Sequence, residues 1–206
     1  MLDEEKSMKH LFRMMCGATI GIVLAAGAPP ALGGEATEQL KESIDKVLAV
    51  LNNPDLKQEE RRKLIRKAAD NRFDWAAMAR SAMGVYWRDR TPEQKKEFTG
   101  LFTDLIESAY MGEIERYSGE KIRYVGESTE DGYGTVKVRI ITHKGTEIPI
   151  TYWVMKEKGQ WLIYDVSIEG VSMVNNYRTQ ISSILTNSSY EELVKKLKEK
   201  VEREKK

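Results

Sequence analysis

Residues 164–178 read Tyr164-Asp165-Val166-Ser167-Ile168-Glu169-Gly170-Val171-Ser172-Met173-Val174-Asn175-Asn176-Tyr177-Arg178, and this stretch decides the fold. It begins on a period of two, with Leu162, Tyr164, Val166 and Ile168 on one face and Ile163, Asp165 and Ser167 on the other, which predicts a strand. Glu169-Gly170 breaks that period. Ser172 then stands where an N-cap belongs, ahead of Met173, Tyr177, Ile181, Ile184 and Leu185 at helical spacing. A strand that turns through a glycine corner into an amphipathic helix lets the helix fold back over the sheet face. The residues leave open whether the space between them is packed core or a ligand cavity.

Working upstream, further strands are expected at Ile122 to Glu127, Thr135 to Thr142 and Ile148 to Lys156, with Gln160 to Ile168 as the fourth. The clusters Glu130-Asp131-Gly132, His143-Lys144-Gly145 and Glu157-Lys158-Gly159 between them are too short for crossovers, so the sheet is an antiparallel meander. Pro149 places the start of the third strand at a sheet edge or a bulge. Helices precede the meander at Glu35 to Leu51, at Lys57 to Asp70, from an Asp74 cap to Met83, and from Thr91-Pro92-Glu93-Gln94 to about Tyr117. A last helix starts at the capping box Ser189-Tyr190-Glu191-Glu192. The expected fold class is α+β, about four antiparallel strands with helices packed over one face.

The 206 residues carry a formal net charge of +1, which gives no global basic field to attract nucleic acid. Residues 1–33 read as a cleavable signal, with a basic start around Met8-Lys9-His10, an apolar run from Met14 to Ala28, and small residues in Ala31-Leu32-Gly33. The true start is expected at Met8, and an uncleaved anchor is the alternative. Residues 34–206 are expected to form one domain. The single cysteine, Cys16, falls inside the signal, so the mature domain has no disulfide and no thiol nucleophile.

Reactive groups are few. Of two histidines, His10 lies in the signal and His143 in an expected turn, which speaks against histidine metal sites and a Ser-His-Asp triad. Asp165 and Glu169 are the acids nearest the organising corner, and the simpler reading makes them structural carboxylates, with Arg178 as a partner. Apolar side chains are plentiful: nine Met, nine Tyr and four Trp. Methionine adapts its shape, and tyrosine can line a cavity while keeping its hydroxyl wet, but composition alone reads this stripe as core.

Three runs carry a resemblance. They are Arg72-Phe73-Asp74-Trp75-Ala76-Ala77-Met78-Ala79; Met83-Gly84-Val85-Tyr86-Trp87-Arg88 with Thr91-Pro92-Glu93-Gln94; and Tyr164-Asp165-Val166 with Glu169-Gly170-Val171-Ser172-Met173-Val174. Together, in this order and spacing, they resemble the MlaC family, the periplasmic phospholipid-binding or toluene-tolerance auxiliary proteins of a Gram-negative ABC transport system. The resemblance runs from about Leu40 to Leu197. Trp75 and Met83 stand where members often carry Phe and Leu, and both keep the position apolar.

The resemblance implies a periplasmic carrier, not an enzyme, that shields phospholipid acyl chains between sheet and helices. Its ligand would be phospholipid, with no cofactor, no metal and no nucleic acid. Its partners would be an inner-membrane ABC transporter with an MCE-domain subunit and an outer-membrane lipoprotein–porin complex, so maintaining outer-membrane lipid asymmetry. On periodicity within that frame, the expected lining is Phe73, Met78, Met83, Tyr86, Leu101, Phe102, Leu105, Tyr110, Val138, Ile140, Tyr152, Val154, Tyr164, Val166, Ile168, Val171, Met173, Tyr177 and Ile181. Arg88, Arg116, Lys121 and Arg178 are head-group or docking candidates. No glycine-rich anion loop is visible, so head-group selectivity is expected to be weak. The competing readings are a small cavity enzyme using Asp165 or Glu169 as acid or base, and a periplasmic chaperone.

Overall fold

A computed structural model describes residues 33–204; the expected signal, apart from Gly33, and the Lys205-Lys206 end lie outside the described residues. The elements run α1 (Glu35–Leu51), α2 (Gln58–Asp70), α3 (Trp75–Met83), a 3-10 turn (Gly84–Trp87) and α4 (Pro92–Glu115). Strands β1 (Lys121–Glu130), β2 (Tyr133–Ile141), β3 (Glu147–Glu157), β4 (Gln160–Ile168) and β5 (Val171–Ser172) follow, then α5 (Met173–Asn187) and α6 (Tyr190–Glu204). The sheet is antiparallel in the order β1-β2-β3-β4-β5, which makes the fold α+β as expected.

Local chemistry explains the boundaries. Thr91 and Gln94 close a reciprocal capping box with Pro92 in the first turn of α4. Asp74 accepts from the Ala77 N–H to start α3, and Ser172 accepts from the Asn175 N–H to start α5. Three hairpins turn on two residues with positive φ: Asp131 (49°) with Gly132 (78°), Lys158 (48°) with Gly159 (82°), and Glu169 (52°) with Gly170 (85°). This is the left-handed pair that matches the twist of the flanking strands. The organising corner is therefore a tight hairpin, and Val171-Ser172 is a fifth, two-residue strand that the period of two did not reveal.

Two bulges overturn strict alternation. Trp153 pairs with Asp165 and Val154 with Ile163, which leaves Tyr164 as an extra residue in β4. An unpaired residue resets the face of everything that follows. Trp161 and Ile163 therefore face the helices before the bulge, and Val166 faces them after it. Tyr164 sits edge-on to Tyr133, with ring centroids 6.2 Å apart; Tyr133 is 57% exposed. In β1, Val125 is the extra residue, and Glu127 then pairs with the fully buried Val136. From there its carboxylate accepts from the Thr37 N–H (2.8 Å) and hydroxyl (2.6 Å) in the first turn of α1. The Gly34 cap has no side chain, so a strand supplies the missing anion.

Pro149 also differs from expectation, since β3 is an interior strand and Pro149 pairs with Arg139 without a bulge. Its carbonyl accepts from the Glu169 N–H at 2.9 Å, beyond the last β3–β4 pair, Ile150 with Ile168. The missing Pro N–H thus faces the place where β4 has already turned away, and no ladder bond is lost. The open edge of β4 is covered by residues 72–74, through Ile163 N–H to the Arg72 carbonyl and Asp74 N–H to the Ile163 carbonyl, both 2.8 Å.

The solid part of the core lies between α3, α4 and α5. Met78, Met83, Phe98, Phe102, Leu105, Tyr177 and Ile181 are at most 2% exposed, and Phe102 meets Tyr177 edge-to-face at 5.6 Å. Helix α6 lays Leu193, Val194, Leu197 and Val201 on this unit, mainly against α4.

Candidate functional site

The helix-covered face of the sheet is only partly filled. Beyond the solid core lies a cavity of about 850 Å³. Its floor is Ile122, Val138, Ile140, Ile148, Ile150, Tyr152, Ile163, Val166 and Ile168. Helix α1 roofs it with Leu40, Ile44, Val47, Leu48 and Leu51, and α2 adds Ile65, Ala68 and Ala69. The carboxy-terminal half of α4 supplies Ile106, Ala109, Tyr110 and Ile114, and Val171 and Met173 close the side at the organising corner. Taking about 30 Å³ per methylene, the share that a similarly sized water takes in the liquid, this space holds on the order of thirty such groups.

Three lining residues are also exposed to solvent: Ile114, Arg116 and Val171. They mark where the cavity opens: Ile114 and Arg116 at the end of α4, and Val171 beside the Glu169 corner. Arg116 pairs there with Glu113. Burial pushes the Glu120 carboxyl up, but hydrogen bonds from the Ser118 N–H (2.8 Å) and hydroxyl (2.9 Å) outweigh it and hold the group below its usual value.

The polar groups deeper in the wall include one engaged guanidinium and two neutral phenols. Arg72 donates to Ser43 Oγ (2.8 Å), Gln39 Oε1 (2.9 Å) and the Trp161 carbonyl (2.8 Å), and burial lowers its pKa. Burial likewise pushes the Tyr110 and Tyr152 hydroxyls up to about 12, so both stay neutral. Helix α2, which buries only Ile65, is tied to α4 by ion pairs. Arg62 holds Glu115 in a fork (3.0 and 2.8 Å), and Arg66 binds Glu107 and Asp104.

Of the expected lining, Phe73, Tyr110, Val138, Ile140, Tyr152, Val166, Ile168, Val171 and Met173 come together around this cavity, with Arg116 at its mouth. Met78, Met83, Phe102, Leu105, Val154, Tyr177 and Ile181 are instead buried outside its wall, and Leu101 packs against the same core. Tyr86 lies in the 3-10 turn, within 3.2 Å of the Thr186 hydroxyl. Tyr164 is put outside the wall by the bulge. Arg88 is exposed beside Asp89, and Lys121 is exposed at the start of β1. Arg178 is a strap from α5 to α3, donating to the Ser81 carbonyl at 2.8 Å. The α1 stripe was legible as an amphipathic helix, but nothing in its spacing distinguished a cavity roof from ordinary core.

Residues 41–199 match the family model described as MlaC protein. The chain belongs to the MlaC family. A curated member, the intermembrane phospholipid transport system binding protein MlaC of Haemophilus influenzae, is 26% identical over 122 residues. That match spans 57% of this chain and 57% of that relative's length. The fold is also that of a phospholipid-binding protein from Ralstonia solanacearum solved in complex with a phospholipid, at a TM-score of 0.77 and 24% identity. That superposition covers 84% of this chain and all of the other.

Proposed function

We propose that this protein is a periplasmic phospholipid carrier that exchanges lipid with an inner-membrane ABC transporter bearing an MCE-domain subunit and with an outer-membrane lipoprotein–porin complex. The observation that supports this best is an apolar cavity of about 850 Å³ in an MlaC-family chain, with its charged groups gathered mainly at the mouth and along α2. Two acyl chains of roughly fifteen methylenes each fit that volume, and moving them from water gains on the order of 20 kcal/mol. Non-covalent affinity reaches its ceiling at about 18–21 kcal/mol, so a loaded carrier does not give up lipid to water. Transfer to a docked bilayer or apolar groove is nearly balanced, so exchange proceeds by docking and its direction is set by the partner. The phosphate stays at the mouth, because burying it unpaired is prohibitive.

The acids at the corner fit this reading better than catalysis. Asp165 is spent on the start of α5, accepting from the Val166 N–H (2.8 Å), the Val174 N–H (3.0 Å) and the Ser172 hydroxyl. Organic extraction of the purified protein followed by mass spectrometry should return close to one phospholipid per chain. Protein that captures no phospholipid, even after incubation with vesicles, overturns the proposal.

A further inference from the structure

The carboxylate of Glu127 has two oxygens, and the start of α1 uses one of them. The Val125 bulge turns Glu127 to the helix side of β1, where both bonds from Thr37 end on Oε2. Oε1 lies against Gly34 instead. A Cβ on that residue would fall 2.3 Å from it, so any side chain there would push the carboxylate away. The main-chain nitrogen of Gly34 is one bond from the same Cα. It is also the atom that processing would convert from an amide to an ammonium, because Ala31-Leu32-Gly33 puts the expected signal cleavage between Gly33 and Gly34. A processing signature in the sequence and a carboxylate from a distant strand thus meet at one residue.

We propose that the amino terminus made by removing residues 1–33 is itself a bound group: the Gly34 ammonium pairs with Glu127 and locks the start of α1 to β1. Charge balance favours the pair. The amino end of a helix carries roughly half a positive charge, which opposes an ammonium there, whereas Glu127 supplies a full negative one. Of the other charged groups in the first turn, Glu35 is held by Lys156 of β3, and Glu38 adds to the negative side. An unprocessed chain has a neutral amide at this position and no such pair. Helix α1 roofs the cavity through Leu40, Ile44, Val47, Leu48 and Leu51, so processing fastens the roof to the sheet that forms the floor. A partly exposed pair of this kind changes the folding equilibrium by up to about fivefold.

Two measurements test this. Intact-mass spectrometry of the exported protein should give a chain that begins at Gly34, and a chain that begins at any other residue overturns the proposal. Thermal melts then compare that protein with one that retains Ala31-Leu32-Gly33, each with Glu127 intact or with Glu127→Gln. At pH 7 the processed form should melt about 2–4 °C above the extended one, and Glu127→Gln should remove the difference. Pairing raises the terminal pKa above its usual value of about 7.7–8.0, so the gain is complete below that range and is lost as the pH climbs through the raised value. The gap should therefore close by about pH 10, a readout that needs no substitution if Glu127→Gln folds poorly. Equal melting of the two forms at pH 7, or a gap that survives Glu127→Gln or the high pH, overturns the proposal. The carrier reading stands or falls separately, on whether the processed protein yields phospholipid on extraction.

Discussion

Two isoleucines of the same size should respond differently to the same truncation, because one faces solid core and the other a void. Ile181 of α5 is 1% exposed and lies outside the cavity wall, whereas Ile150 of β3 is 7% exposed and forms part of the floor. Ile181→Ala removes three carbons and leaves a hole that the surrounding helices cannot close, at about 3 kcal/mol. Ile150→Ala removes the same three carbons, worth at most about 2.4 kcal/mol of transfer free energy. Part of that side chain already borders empty space in the lipid-free protein, so fewer contacts are lost and no new cavity is made; about 1 kcal/mol remains. At about 2–4 °C per kcal/mol for a chain of this size, delipidated Ile181→Ala should melt roughly 6–12 °C low and Ile150→Ala only 2–4 °C low. Loading with phospholipid should raise the melting temperature of the unaltered protein, and Ile150→Ala should then lose more than it did empty, because it forfeits contacts with the acyl chain. Equal losses for the two lipid-free variants would refute the reasoning, since they would mean the floor of the sheet is as tightly packed as the α3–α5 core.

Further outcomes follow from the titrating groups. Hydrogen bonds from Arg62 hold the Glu115 carboxyl below its usual value of 4.5, so the α2–α4 tie contributes stability above that pH and loses it as the pH falls through the lowered value. Glu115→Gln should therefore melt below the unaltered protein at pH 7 and converge with it as the pH falls well below 4.5, and a constant gap across that range would contradict the assignment. Lys200 lies over the Tyr177 ring at 5.7 Å, and burial pulls its pKa down from 10.5 to about 8. The folded chain then holds a buried charge at a cost that is full below about 8 and relieved between 8 and 10.5. Lys200→Met should stabilise the protein at pH 7 and lose that advantage as the pH approaches 10.5 in thermal melts.

The element order was written in local sequence. Thr91-Pro92-Glu93-Gln94, Asp74 and Ser172 fix helix starts through hydrogen bonds between near neighbours, and the glycine-bearing pairs fix hairpins through backbone sterics. Such chemistry acts within a few residues, so it can be read without the fold. The runs around residues 72–94 and 164–174 likewise carried the family resemblance that the family model bears out.

The inner surface was less legible. Period-two reasoning placed Tyr164 inward and missed Trp161 and Ile163, because a single unpaired residue in β4 reverses the faces and has no local signature there. Periodicity also could not divide α4, whose Phe98, Phe102 and Leu105 pack solidly while Ile106, Tyr110 and Ile114 border the cavity. Core and cavity wall demand the same apolar side chains, since both are hidden from water. The sequence by itself determined which elements form, in what order, and which residues are apolar on one side. Only the tertiary structure decided where the helices stop short of the sheet, because a void is a relation between distant surfaces and belongs to no residue's own pattern.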